Sequence, residues 1–240
     1  MPETAALIAE AGGETPTMRA FMNVYEAGAW GDGGDGCGSG RGSLPIFAAR
    51  TICNLAALMP TLLKVDLLID FPCGDQQWSP MLRALLPNLK YLGVDAMPGL
   101  VQRNRVVHSV PGRVEFLLGE LDTPRVFDTL RARAPHMWAP GDVVAVLSRH
   151  VLEHNTQATT QAYFANLFAS NATFFIGTQI ATAVNDGSQI LAGAEGINFH
   201  LPPYSFTRGL VEWMETPALA GADEGGTMIE VWEVSRMRPS

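Results

Sequence analysis

From Val65 to Gln179 the chain alternates short apolar runs with helix-length amphipathic ones, a pattern that restricts it to a mostly parallel sheet covered by helices. "VDLLIDF" (65–71), "KYLGVD" (90–95), "RVEFLLGELD" (113–122), "DVVAVLS" (142–148) and "ATFFIGTQ" (172–179) read as strands. Between them, "SPMLRALLP", "GLVQRNRVVHSV", "PRVFDTLRARAP" and "TTQAYFANLFAS" read as helices. This spacing suits right-handed crossover connections. Upstream, Ser43 can cap a helix over "LPIFAARTICNLAALM", with Pro45 tolerated in its first turn. Downstream, "TMIEVWEVSRM" (227–237) alternates as a final strand. The expected fold class is therefore α/β, a doubly wound and mostly parallel sheet.

With 240 residues, 47% hydrophobic and 17% charged, the chain can bury one complete core. Residues 1–20 mix Ala, Glu, Gly, Thr and Pro and are expected to be a mobile, weakly packed start to a single domain over 21–240. Residues 185–217, with their glycines, Pro-Pro pair and aromatics, read as an insertion or lid. A net charge of -8 argues against general affinity for nucleic acid. Cys37, Cys53 and Cys73 form neither a disulfide framework nor a zinc spacing. No stretch gives 18 uninterrupted apolar residues and the acidic start lacks a basic leader, so a soluble, cytoplasmic protein with no membrane partner is expected.

Open parallel sheets bind ligands outside the carboxyl ends of their strands. There the sequence places Asp70, Pro72, Cys73, Gly74 and Asp75 after the first strand, Asp95 and Ala96 after the second, and Glu120, Leu121 and Asp122 after the third. Ser148, Arg149 and His150 follow the fourth. Asp95 lies about 20 residues past the glycine turn, the relation of a carboxylate that accepts ribose hydroxyls. The turn is not GxGxxG, and Asp75 would repel a pyrophosphate. Paired carboxylates suit a nucleoside ligand with a positive centre.

The run "LLIDFPCGDQQW" resembles the first motif of class I S-adenosylmethionine (SAM)-dependent methyltransferases, and "YLGVDAMPGLVQRN" and "GDVVAVLSRHVLEH" are similar to their later motifs. "AWGDGGDGCGSGRGS", "IDFPCGDQQW" and "INFHLPPYSF" together resemble a small branch with a Ser/Gly-rich leader, although this leader carries extra glycines and Arg41. The resemblance implies the Rossmann-like methyltransferase fold with an antiparallel C-terminal strand, SAM as cofactor and a small-molecule acceptor, a sugar hydroxyl or glycan among the options. It implies that Asp70 and Gly74 shape the methionine end, Asp75 lies near the amino group, Asp95 holds the ribose, and Leu121 and Asp122 lie near the adenine. Pro72, Cys73, Trp78, Ala96 and Ser148 complete that expected cofactor site. Trp30, Ser39, Gly40, Arg41 and Ser43 would fold over the cofactor, with Arg41 suited to its carboxylate.

His150 is the expected general base, with Arg149 beside it, while His154, Phe199, His200 and Tyr204 are expected on the substrate side. The branch often carries Arg-Asp where this chain has Arg149-His150. Two other classes stay open. "HVLEH" (150–154) matches the inverted zinc-hydrolase pattern through His150, Glu153 and His154, and a nucleoside-binding module without catalysis would share the same site. No resident metal is expected under the methyltransferase reading.

Overall fold

A computed structural model of the chain describes residues 2–10, 13–30, 38–180, 182, 184–187, 191–193, 196–216 and 226–237. The sheet is built from β1 (Leu67–Asp70), β2 (Lys90–Asp95), β3 (Val114–Leu118), β4 (Val144–Ser148), β5 (Phe174–Ile180), β6 (Val211–Thr216) and β7 (Thr227–Glu233). Its order is β3-β2-β1-β4-β5-β7-β6. The first five strands pair in parallel, and β7 runs antiparallel to both β5 and β6. The doubly wound α/β architecture, with its antiparallel C-terminal strand, is thus present. Strand order reverses between β1 and β4, which opens a crevice at their carboxyl ends.

Every residue of β1 and β4 is buried, as a central parallel strand covered on both faces requires. Their side chains alternate between two cores: Leu67, Ile69, Val144 and Val146 face one, and Leu68, Ala145 and Leu147 the other. The helices are α1 (Pro2–Glu10), α2 (Pro16–Glu26), α3 (Pro45–Leu58), α4 (Ser79–Leu85), α5 (Pro98–His108), α6 (Val126–Arg133), α7 (Gln157–Ala169) and α8 (Val234–Met237). The Ile69 core draws on α6, α7 and α8, and the Leu68 core on α1 to α5. A π-helical turn extends α3 to Leu63, giving an apolar segment whose length and composition would suffice to cross a membrane. Here one side of it, including Ala48, Leu55 and Met59, is buried in the Leu68 core.

Three differences from the sequence reading have physical causes. The expected weakly packed start holds two helices: Leu7 and Met18 are buried, and Thr15 caps α2 by accepting from Met18 N at 3.1 Å. The Thr15 hydroxyl also donates to the Glu120 carboxylate at 2.7 Å, tying α2 to the end of β3. Within the expected lid, residues 211–216 are sheet strand β6, with Trp213 and Glu215 turned inward. Phe199 and Tyr204 are core residues there as well, edge-on to Phe164 at 5.3 and 5.7 Å, and not walls of an acceptor pocket.

Candidate active site

The turn after β1 is fixed to the next strand and to the leader. Cys73 N donates to Val94 O at 2.8 Å, and Gly74 N donates to Asp95 Oδ2 at 2.9 Å. Gly74 has φ +57, and a Cβ on it would lie 2.9 Å from Ser39 Oγ, so both conformation and space demand glycine. Asp75 and Ser39 bond reciprocally: Ser39 N donates to Asp75 Oδ2 at 3.0 Å, and Asp75 N donates to Ser39 Oγ at 2.9 Å. Tyr25 of α2 shares a hydrogen bond with that same Ser39 hydroxyl at 2.9 Å. The leader is thereby laid across the turn.

Behind the turn, buried Gln76 donates to Tyr91 Oη at 2.8 Å and accepts from Ser79 Oγ at 2.6 Å and Arg83 Nη2 at 3.1 Å. Tyr91 Oη in turn donates to Asp70 Oδ2 at 2.5 Å. Burial lifts the Asp70 carboxyl to about 7, although Tyr91 and Arg149 pull it down. Burial also lifts Asp95 to about 6, against the Met97 and Gly74 amides that it accepts from.

These groups open onto a cavity of about 430 Å³, a size suited to a small ligand. Of the expected cofactor residues, Asp70, Pro72, Cys73, Gly74, Asp75, Trp78, Asp95, Ala96 and Leu121 line it from the strand ends. Trp30, Ser39, Gly40 and Ser43 line it from the leader. Arg41 lies in a one-turn helix, Arg41–Ser43, and its side chain falls outside the described residues. Asp122 is not at the cavity wall. Nor is Ser148, whose hydroxyl donates to Phe71 O and pairs with Tyr163 Oη, both at 2.7 Å, inside the core.

At the other end lie Arg149, His150 and His154. Arg149 donates to Glu215 Oε1 at 2.7 Å and Gly42 O at 2.8 Å, with its guanidinium 5.2 Å from the Trp78 ring centre. His150, at φ +52, is clamped: Nδ1 meets Glu153 Oε1 at 3.1 Å and Nε2 meets Glu215 Oε2 at 2.9 Å. Burial alone would lower its pKa, but Glu153 and Glu215 outweigh that and raise it to about 9. At neutral pH the ring is a cation between two anions, an arrangement that hinders it as a proton acceptor.

Sequence reasoning missed Glu215, the shared anion for Arg149 and His150. It also missed α2, which brings Phe21 and Tyr25 to the wall. The inward 211, 213, 215 alternation of "VEWMET" was the available signal for Glu215. His200 lies away from the cavity, with Nε2 2.9 Å from Glu230 Oε2. The zinc pattern needs both histidines of "HVLEH" on one side of a helical turn. In place of that turn, only Leu152–His154 form a single 3-10 turn, and His154 faces the Gly193 carbonyl while His150 faces Glu215.

No family model matches the chain, and no curated protein matches it in sequence. Among solved structures, a Thermobifida fusca protein described as a methyltransferase matches with a TM-score of 0.57 at 10% identity, over 78% of this chain and 80% of that one. Magnesium protoporphyrin IX methyltransferase from Synechocystis PCC 6803 with bound SAM matches at 0.54 and 13% identity, over 92% of this chain and 99% of that one. At such identities the likeness is one of fold, and it matches the Rossmann-like methyltransferase architecture.

Proposed function

We propose that the chain is a SAM-dependent methyltransferase acting on a small-molecule acceptor, with a sugar hydroxyl as the first acceptor class to test. The observation that carries this reading is the gathering of Asp70, Asp75 and Asp95 around one cavity at the switch point of a methyltransferase-like sheet. Three carboxylates there suit hydroxyls and a cation, whereas a pyrophosphate would meet repulsion. Gly74, where a Cβ would meet Ser39, lets the leader close over the turn beside the cavity. The residues present therefore fit SAM.

In this reading Asp95 holds the ribose, Asp70 and Asp75 serve the amino-acid end, and Leu121 and Met97 flank the adenine. Trp30 and the strap 38–43 cover the cofactor, tied down by Asp75 through Ser39 and by Arg149 through the Gly42 carbonyl. Bound SAM supplies an electrophilic methyl group on a sulfonium, open to in-line displacement by a positioned acceptor. Arg149 and His150 hold β6 against the end of β4 through Glu215, which shapes the acceptor end.

The test is transfer of an isotope-labelled methyl group from SAM to a panel of sugars and amines, read by mass spectrometry. Labelled product supports the reading. Tight cofactor binding with no product from any acceptor would favour the nucleoside-binding module.

A further inference from the structure

We propose that His154, and not His150, takes the acceptor's proton, which makes the acceptor a hydroxyl or ammonium compound. This rests on the methyltransferase reading of the cavity. Both histidines line that cavity, yet their ring nitrogens are used in opposite ways. His150 spends Nδ1 and Nε2 on two carboxylates. His154 turns Nδ1 to the Gly193 carbonyl, which can only accept, so Nδ1 bears the hydrogen of the neutral ring. Its Nε2 then carries the lone pair and has no hydrogen-bond partner among the described residues.

The ring is also held in place. Trp30 lies 5.1 Å from it, centre to centre, and Trp30 is itself packed by Phe21 at 5.8 Å and Tyr25 at 5.4 Å. A tautomer set by a fixed carbonyl, with the opposite nitrogen open, is what a general base requires. Other titratable groups at the cavity are engaged. Tyr91 bonds Asp70, backbone amides bond Asp95, and Ser39 and Gln77 bond Asp75. Burial pushes the Cys73 thiol up, which keeps it protonated.

The step balances. A hydroxyl passes its proton to His154 Nε2 as its oxygen lone pair attacks, and an ammonium passes it beforehand, which frees the nitrogen lone pair; that lone pair forms the new bond to the methyl carbon, and sulfur keeps the electron pair of the carbon–sulfur bond. Water then removes that proton.

The protein has five histidines, so nitrogen-15 NMR of their side chains, assigned with single His→Gln variants, can read each ring at neutral pH. The expected result is that the neutral form of His154 carries its hydrogen on Nδ1, beside a doubly protonated His150. In His154→Ala, kcat toward the sugar or amine that the wild type methylates should fall about 100-fold or more. Added imidazole should restore part of it, and calorimetric affinity for S-adenosylhomocysteine should be kept. A neutral His154 ring with its hydrogen on Nε2, or unchanged kcat in His154→Ala, would overturn the proposal. Wild-type protein that binds no S-adenosylhomocysteine would instead strike the methyltransferase reading, while the ring measurement judges His154 separately.

Discussion

Replacing Glu215 by Gln removes the charge that pairs at once with Arg149 and His150. Burial alone would raise the Glu215 carboxyl, but His150 and Arg149 hold it at about 2 against an ordinary 4.5. That displacement corresponds to about 3 kcal/mol. His150, raised from 6.5 to about 9, is the other side of the same interaction, so the two are not summed. A histidine raised on folding contributes fully below 6.5 and loses its contribution as pH rises through 9. A depressed carboxyl contributes above 4.5 and loses its contribution as pH falls through about 2.

At pH near 7.5, Glu215→Gln leaves the Arg149 side chain, 4% exposed, without its counter-charge. Breaking a buried pair in this way typically costs about 3–5 kcal/mol. For a chain of 240 residues, a loss of about 3 kcal/mol should lower Tm by roughly 6–12 °C. Urea titrations near pH 7 and pH 10 add the linkage test. Between those pH values the wild type should lose up to about 2.5 kcal/mol through His150, and the variant less, because its His150 keeps only Glu153. An unchanged urea midpoint near pH 7.5, or equal losses in the two proteins up to pH 10, would refute the reasoning.

Asp70→Asn should act in the opposite sense. Folding raises that carboxyl from 3.8 to about 7, so ionised Asp70 opposes folding as pH rises across that window. Near pH 7.5 the variant should gain about 1–3 kcal/mol in urea unfolding while its SAM affinity falls, a stability–function trade; a variant both less stable and tighter-binding would contradict this. Gly74→Ala forces a side chain into φ +57 and toward Ser39. It should lose about 1–3 kcal/mol and bind S-adenosylhomocysteine at least about tenfold more weakly, about 1.4 kcal/mol, by calorimetry, and unaltered affinity would show that binding does not need the leader seated on the turn. Ser148→Ala, which removes a hydroxyl from the core, should lose about 1 kcal/mol and leave cofactor affinity unchanged. A clear change in Kd would place Ser148 at the cavity after all.

The parallel half of the sheet was legible because each strand is a short apolar run bounded by turn residues, and β2 keeps its expected limits, Lys90–Asp95. The Asp70, Gly74, Asp75 and Asp95 cluster was legible for a related reason: strand ends in an open sheet converge whatever their sequence separation. What was lost depended on distant partners. α2 carries a readable Thr15-Pro16 start, but its packing depends on Glu120 of the β3 end and on Ser39, and composition alone hid it. Glu215 gains its meaning only from Arg149 and His150, some 65 positions earlier in the chain. The clamping of His150 by Glu153 and Glu215 was hidden for the same reason, since a histidine's chemistry is set by what its two nitrogens touch.

The central claim, that the carboxylate-lined cavity is a SAM site, is tested most directly by calorimetric titration of the full chain with SAM and S-adenosylhomocysteine. The account predicts saturable binding of both at one site per chain, weakened about tenfold or more in Asp95→Asn, in line with the loss of a charged hydrogen-bonding group. No heat of binding from either ligand up to high micromolar concentration would contradict it.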